Sequence, residues 1–297
     1  MRKDISSAPA DVLELPKTSM FAETWRRFRQ NKLAMIGLVI IFIIAFGAAF
    51  ADLLVDYDVA ITIDVANARQ LPSTKHILGT DELGRDLLAR IVHGSRTSIL
   101  VSVVAVTFSL IVGGIAGAVA GYYGGVVETV IMRISDILQA IPNLLLAIAI
   151  LSAFGQSMTV LIIAVGISNI PAYARIIRAS TLTIKGQEYI EAAKAVGASD
   201  AHIILKHVIN NCVAPIIVQA TLSMANAILN TSSMCFLGLG VKAPTPEWGA
   251  IMAGGRAFLR EAWHITLFPG VVIMLTVLAL NLMGDGLRDA LDPKLKK

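Results

Sequence analysis

Gly186-Gln-Glu-Tyr-Ile-Glu-Ala-Ala-Lys-Ala-Val-Gly-Ala-Ser-Asp-Ala-His-Ile-Ile-Leu-Lys-His-Val-Ile-Asn210 is the longest polar interruption in the apolar second half of this 297-residue chain. Glu188 and Glu191 stand where the first turn of a helix favours negative charge, and the small and apolar residues up to Val196 have good helix propensity. Gly197 breaks that helix. Ser199 or Asp200 can cap a second one, in which Ile203, Ile204, His207 and Val208 recur on one face. The pattern is helix, bend, helix. Such a hairpin between membrane spans is either a solvated connector or a docking surface, and the residues alone leave both readings open.

The rest of the chain is membrane. It is 56% hydrophobic and 15% charged, with mean hydropathy +0.72, whereas soluble domains carry about 25% charged residues. A net charge of +4, dispersed along the sequence, gives no basic patch for nucleic acid. Cys212 and Cys235 lie in one apolar stretch and read as small hydrophobes. The five histidines, His76, His93, His202, His207 and His264, are scattered, so a metal site is not expected.

Hydropathy predicts six spans. Residues 33–51 form an uncharged run too long for a signal-peptide core, and Trp25-Arg-Arg-Phe-Arg29 before it reads as an interfacial helix on a polar arm that contains Pro9 and Pro16. Residues 52–96 form an extramembrane loop with seven acidic and five basic residues. Within it Leu83, Leu87, Leu88 and Ile91 predict an amphipathic surface helix capped by Thr80. Residues 97–127 give a second span and a turn at Tyr122-Tyr-Gly-Gly125, and the uncharged run 137–174 gives two more, near 131–153 and 158–180. Pro142 and Pro171 are expected to kink these two, and Arg133 to pair with Asp136 one turn away. A fifth span lies within 207–241 and the last is 263–284, separated by Pro244-Thr-Pro-Glu-Trp-Gly249, read as a rigid turn with an interfacial tryptophan.

Two patterns inside the spans carry information. Gly113, Gly117, Gly121 and Gly125 recur every fourth residue, which lets another helix approach closely, whether from this chain or another; Gly125 reads as part of the turn. Asn169, Gln219, Asn226 and Asn230 are costly in lipid, so they line a translocation path or bridge helices. Seventeen basic residues fall on the side holding the arm, the hairpin and the tail, against eight on the other. Both termini and the hairpin are therefore expected in the cytosol.

Glu191-Ala-Ala-Lys-Ala-Val-Gly197 resembles the EAA loop of ABC importer permeases, departing from it where His207 and Asn210 replace the later isoleucine and proline. Gly79-Thr-Asp-Glu-Leu-Gly-Arg-Asp86, Pro244-Thr-Pro-Glu-Trp-Gly249 and Asn281-Leu-Met-Gly-Asp-Gly-Leu-Arg-Asp-Ala-Leu-Asp-Pro-Lys-Leu295 are similar to the C-type permease subunit of dipeptide, oligopeptide and nickel importers. The resemblance implies an all-α polytopic subunit with four parts: an arm at 1–32, a first span and extracytoplasmic loop at 33–96, a five-helix permease core at 97–290 containing the coupling loop 181–210, and a tail at 291–297. It further implies a related B-type permease, two ABC ATPase subunits and an extracytoplasmic substrate-binding protein as partners. Glu188, Glu191, Ala192, Ala193, Gly197, Ala198 and Asp200 would then couple this subunit to the ATPases. Ala192 and Ala193 would let the helix sit deep in a partner's groove, and Lys194 is a local alternative partner for Glu191.

The chain is not expected to be an enzyme or to hold a cofactor of its own. No G-x-x-x-x-G-K-[ST] loop occurs, so ATP and Mg²⁺ would be bound by the partner ATPases. An intramembrane protease would need H-E-x-x-H or a Ser-His pair within spans, and neither is present. A self-contained secondary transporter would show inverted repeats, which are not visible either. The resemblance implies peptides, di- or oligopeptides, as the cargo, moved by alternating access, with glutathione or a nickel chelate as the alternative.

Overall fold

In the computed structural model the described residues are 20–291. Pro9, Pro16 and the last six residues of the tail, and what was expected of them, lie outside that range. The described residues contain helices and no strand; a single isolated bridge joins Thr80 and Asp86. Five helices are long and apolar enough to cross a membrane, and a bent pair makes a sixth crossing if counted as one span. The six-span expectation holds on that count.

Helix α1 (Met20–Gln30) meets α2 (Lys32–Ala49) at Asn31, whose side-chain oxygen accepts from the Ala34 amide at 3.2 Å. The loop that follows carries α3 (Ala51–Leu54) and α4 (Tyr57–Ile61) and is tied down by ionic and backbone contacts. The Asp81 carboxylate accepts from the backbone N–H of Leu83 and Arg85, both at 2.9 Å, and from Arg85 Nε at 2.6 Å. Arg90 Nε stands 3.1 Å from the same carboxylate, and its guanidinium also donates to the Ala60 carbonyl. Gly84 closes this turn at φ +80°, where a Cβ would lie 1.7 Å from the Asp64 carbonyl oxygen. Burial and the neighbouring Asp81 charge hold the Glu82 carboxyl above its ordinary value.

This knot changes the expected start of the next helix. α5 runs unbroken from Leu87 to Tyr123, capped by Asp86, which accepts from the Ala89 amide. Its 37 residues reach about 55 Å, well beyond a hydrocarbon core of about 30 Å. The predicted surface helix is therefore the extramembrane end of a span, with Leu87 and Ile91 buried. Thr80 is not a cap. Its hydroxyl donates to the Asn67 carbonyl and accepts from the Gln70 amide, stitching the loop instead.

α6 (Gly125–Ala140) and α7 (Asn143–Phe154) meet at 90°. Pro142 does more than kink this crossing, because the ring at the head of α7 cannot continue the α6 ladder. Pro171, by contrast, sits inside an uninterrupted α8 (Met158–Lys185). Arg133 and Asp136 do not pair. Asp136 accepts from Arg175 of α8 at 2.7 Å, and Glu128 takes Arg178, so α6 is held to α8 by cross-helix ion pairs rather than by a local one. After the hairpin come α12 (Val213–Phe236), α13 (Trp248–Gly255) and α14 (His264–Leu291).

Trp248 is not interfacial either. It is fully buried and its Nε1 donates to the Ile91 carbonyl at 3.0 Å. Glu247 beside it caps α13 and accepts from Ser98 of α5 and Ser232 of α12. The proline-rich turn thus folds inward as a clasp across three helices.

The glycine series resolves to a contact within the chain. A Cβ on Gly113 would lie 2.5 Å from the Ile170 carbonyl oxygen, one on Gly117 2.3 Å from that of Ala174, and one on Gly121 2.7 Å from Thr181 Cβ. All three face α8. Gly125, read as part of a turn, instead opens α6 at φ +54° with nothing within 4 Å of a Cβ placed there, so it takes no part in the contact. Because the obstacles are backbone atoms, Gly117→Ala is expected to cost about 1–3 kcal/mol, and Gly117→Leu to prevent accumulation of folded protein. Gly47→Ala, which meets nothing within 4 Å, is the control; thermal melting of the purified variants checks the contrast.

Candidate coupling hairpin and translocation face

The hairpin is α9 (Glu188–Ala195), a turn, α10 (Asp200–His202), a π-helical stretch Ile203–Val208 and α11 (Ile209–Asn211). Gly197, at φ +82°, stops α9. Its N–H bonds the Lys194 carbonyl while the Ala198 N–H bonds that of Ala193, the paired bonds of a Schellman end. Ser199 caps the second arm by accepting from the His202 amide. With Asn210 in place of a proline, the second arm runs on through α11 and a single non-helical turn at Cys212 into α12.

One face of the hairpin is sealed onto its own bundle. Ile190, Ile203 and Val208 are each 0% exposed and pack with Ala118 and Tyr122 of α5, and with Ile177 and Ile184 of α8. Each such burial is worth about 1.5–3 kcal/mol. The Tyr122 hydroxyl donates to the Asp200 carboxylate at 2.6 Å, and the Lys194 ammonium lies 5.1 Å from the Tyr122 ring centroid. Lys194 therefore serves Tyr122 and makes no ion pair with Glu191. Tyr122 was not singled out in the sequence, because nothing local marks an end-of-span tyrosine as the partner of an aspartate 78 positions away.

The expected coupling residues divide between the two faces. Glu188, Glu191, Ala192 and Gly197 lie on the outer surface. Ala193 and Ala198 are half-buried against the bundle, so their small size serves packing within this chain, and Asp200 is engaged by Tyr122. Two outward apolar residues were missed: Val196, 85% exposed, and Leu205, 63% exposed. Their signal in the sequence is only their position opposite Ile190 and Ile203.

The candidate path residues divide as well. Asn169 is buried and its amide donates to the Val165 carbonyl of its own helix. On α12 the spacing Gln219, Ser223, Asn226, Asn230, Ser233 makes one face. Gln219 donates to Ser223 at 3.0 Å, whereas neither Asn226 nor Asn230 has a side-chain hydrogen bond among the described residues. Next to this face opens an apolar cavity of about 380 Å³ lined by Leu144, Leu229, Ser233, Phe236 and Ile273. Among the described residues no cluster of three His, Cys, Asp or Glu could hold a metal ion.

A family model described as binding-protein-dependent transport system inner membrane component matches residues 109–297, and one described as the N-terminal TM domain of oligopeptide transport permease C matches residues 19–72. The chain belongs to the binding-protein-dependent transport permeases. This permease is 46% identical to the dipeptide transport system permease protein DppC of Alkalihalophilus pseudofirmus, over 98% of this chain and 95% of that one. It is 43% identical to the di/tripeptide permease DppC of Pseudomonas aeruginosa, over 98% and 97%. It is 44% identical to the glutathione permease GsiD of Escherichia coli, over 92% and 90%. A chain of the inward-facing MetNI methionine ABC transporter shares its fold, with TM-score 0.56 and 17% identity over 68% of this permease and 97% of that chain.

Tyr122→Phe is expected to keep the apolar seal but remove the Tyr122 bond to Asp200, at a cost of about 1 kcal/mol. Hydrogen exchange of amides 198–204 should speed up severalfold; unchanged exchange would show that the apolar contacts alone hold the hairpin.

Proposed function

We propose that this permease is one membrane subunit of an ABC importer for short peptides, and that its α9–α11 hairpin receives the work of ATP hydrolysis. A contact can transmit that work only if it differs between the ATPase's states, and only through a part rigid enough to carry the displacement. The observation that carries the reading is the two-sided hairpin. Its inner face is locked to α5 and α8 through Ile190, Ile203 and Asp200, while Glu191, Ala192, Val196 and Leu205 are left outside. A solvated connector has no need of Val196 and Leu205 on its outer face. Within this proposal the hairpin and both termini face the cytosol, two ABC ATPase subunits bind ATP and Mg²⁺, a B-type permease completes the pore, and an extracytoplasmic binding protein delivers cargo.

Short peptides are the cargo class that the relatives' names share, glutathione being itself a tripeptide. The α12 face suits such a cargo. An unpaired amide facing hydrocarbon costs about 2–7 kcal/mol, so Asn226 and Asn230 belong at a watered path or a partner, where they can meet peptide groups while the adjoining apolar cavity takes side chains.

In the assembled transporter, Glu191→Arg with Val196→Asp is expected to leave membrane insertion intact and to weaken ATPase docking. Loss of a hot spot costs about 2 kcal/mol, roughly thirtyfold in affinity. ATPase stimulation by loaded binding protein should fall toward the basal rate, and full stimulation with full uptake would defeat the assignment. Asn226→Leu and Asn230→Leu are expected to reduce peptide uptake in a complex that still assembles. Failed assembly would assign these residues to helix packing.

A further inference from the structure

A second site lies where the first and last described helices meet. A polar pocket of about 520 Å³ opens between α1 and the last turns of α14, with Arg26, Arg27, Gln30 and Asn31 on one wall and Asp289 on the other, above Gly286. That volume is within the range of small-molecule sites, about 300–1,000 Å³. We propose that this pocket binds the headgroup of an aminophospholipid, with the phosphate at Arg26 and Arg27 and the primary ammonium at Asp289.

The walls are fixed by close packing. Phe28 is 3% exposed and clusters with Ala34 and Ala290. A Cβ on Gly286 would stand 2.2 Å from that of Ala34 and 3.3 Å from the Phe28 ring, so α1, α2 and α14 cross with no slack. Arg27 is shared with Glu23 at 2.6 Å, but Arg26 and Asp289 have no ion-pair partner among the described residues, not even each other. Asn31 uses its oxygen to cap α2, which leaves its amino group free to donate. One wall thus offers cationic and amide donors and the other a carboxylate acceptor. A group bearing an anion and an ammonium a few bonds apart satisfies both, whereas a simple anion would face Asp289 unfavourably.

Location selects a lipid over a soluble zwitterion. The first span begins at Lys32, beside the pocket, and its outward side chains Leu33 and Ile36 are 59% and 52% exposed, a track for acyl chains. Trp25 stacks on Phe28 at 5.9 Å while remaining 42% exposed, as an indole at headgroup depth does. The pocket lies apart from the α12 face and from the hairpin, so its occupant is independent of the transported cargo.

The test is native mass spectrometry of the assembled transporter from nanodiscs containing equal phosphatidylethanolamine, phosphatidylglycerol and phosphatidylcholine. Wild-type protein should retain phosphatidylethanolamine preferentially. Arg26→Gln with Arg27→Gln should reduce its retention by about fivefold per arginine. Asp289→Asn should abolish the preference for ethanolamine over choline while leaving a phosphate-dependent remainder. Basal ATPase activity reports that the variants are assembled. Equal retention of phosphatidylglycerol and phosphatidylethanolamine by wild-type protein, or indifference to Asp289→Asn, would reduce the site to a basic surface and overturn the proposal. Displacement of the lipid by soluble phosphoethanolamine at comparable concentration would show that Leu33 and Ile36 contribute nothing, and would overturn the lipid assignment.

Discussion

The close approach of α5 and α8 at Gly113, Gly117 and Gly121 is the constraint on which the rest of the structure depends. In lipid no hydrophobic driving force pulls two apolar helices together, so packing at backbone distance supplies the attraction. Carbonyl oxygens of Ile170 and Ala174 fill the space that side chains would occupy. That contact sets where the ends of the two helices lie relative to each other, and the hairpin is built on those ends. Tyr122 stands one residue past Gly121 and Ile184 three past Thr181, and between them they seat Ile190 and hold Asp200. A displacement of the hairpin would therefore be delivered to α5 and α8 together.

The same pair of helices organises the opposite end. α5 leaves the hydrocarbon as a continuous rod, and the Asp81 turn, the Arg90 bond to Ala60 and the Trp248 bond to Ile91 fasten the loops to that rod. Glu247, buried without a cation, is satisfied by two serines and a helix N-terminus, which is how a carboxylate can stay inside. The bonds of Arg90 to Ala60, Trp248 to Ile91 and Ser98 to Glu247 join segments remote in sequence, so the extramembrane loops are tied to the helices.

Against this rigid pair stands the broken crossing α6–α7. It is fixed to α8 by the Asp136–Arg175 and Glu128–Arg178 pairs, whose side chains are between a fifth and a half exposed. Such pairs are individually worth about 0–1 kcal/mol. They position α6 against α8 without locking it.

Local chemistry was enough to read the spans, the hairpin and its bend. Twenty apolar residues in a row have one stable environment, and a glycine after Glu-Ala-Ala at a helix end has one common conformation. The periodicity of Gly113, Gly117 and Gly121 announced a close helix contact but could not say with what. Only the tertiary structure decided that α8 is the partner, that Asp136 turns to Arg175 instead of Arg133, that Pro142 breaks its crossing, that Trp248 is buried, and that Tyr122 anchors the hairpin. Four of these depend on which distant helix arrives alongside, and spacing along one helix carries no information about the identity of its neighbour; Pro142 differs, since a proline can kink a crossing or end its ladder and the residue alone does not fix which.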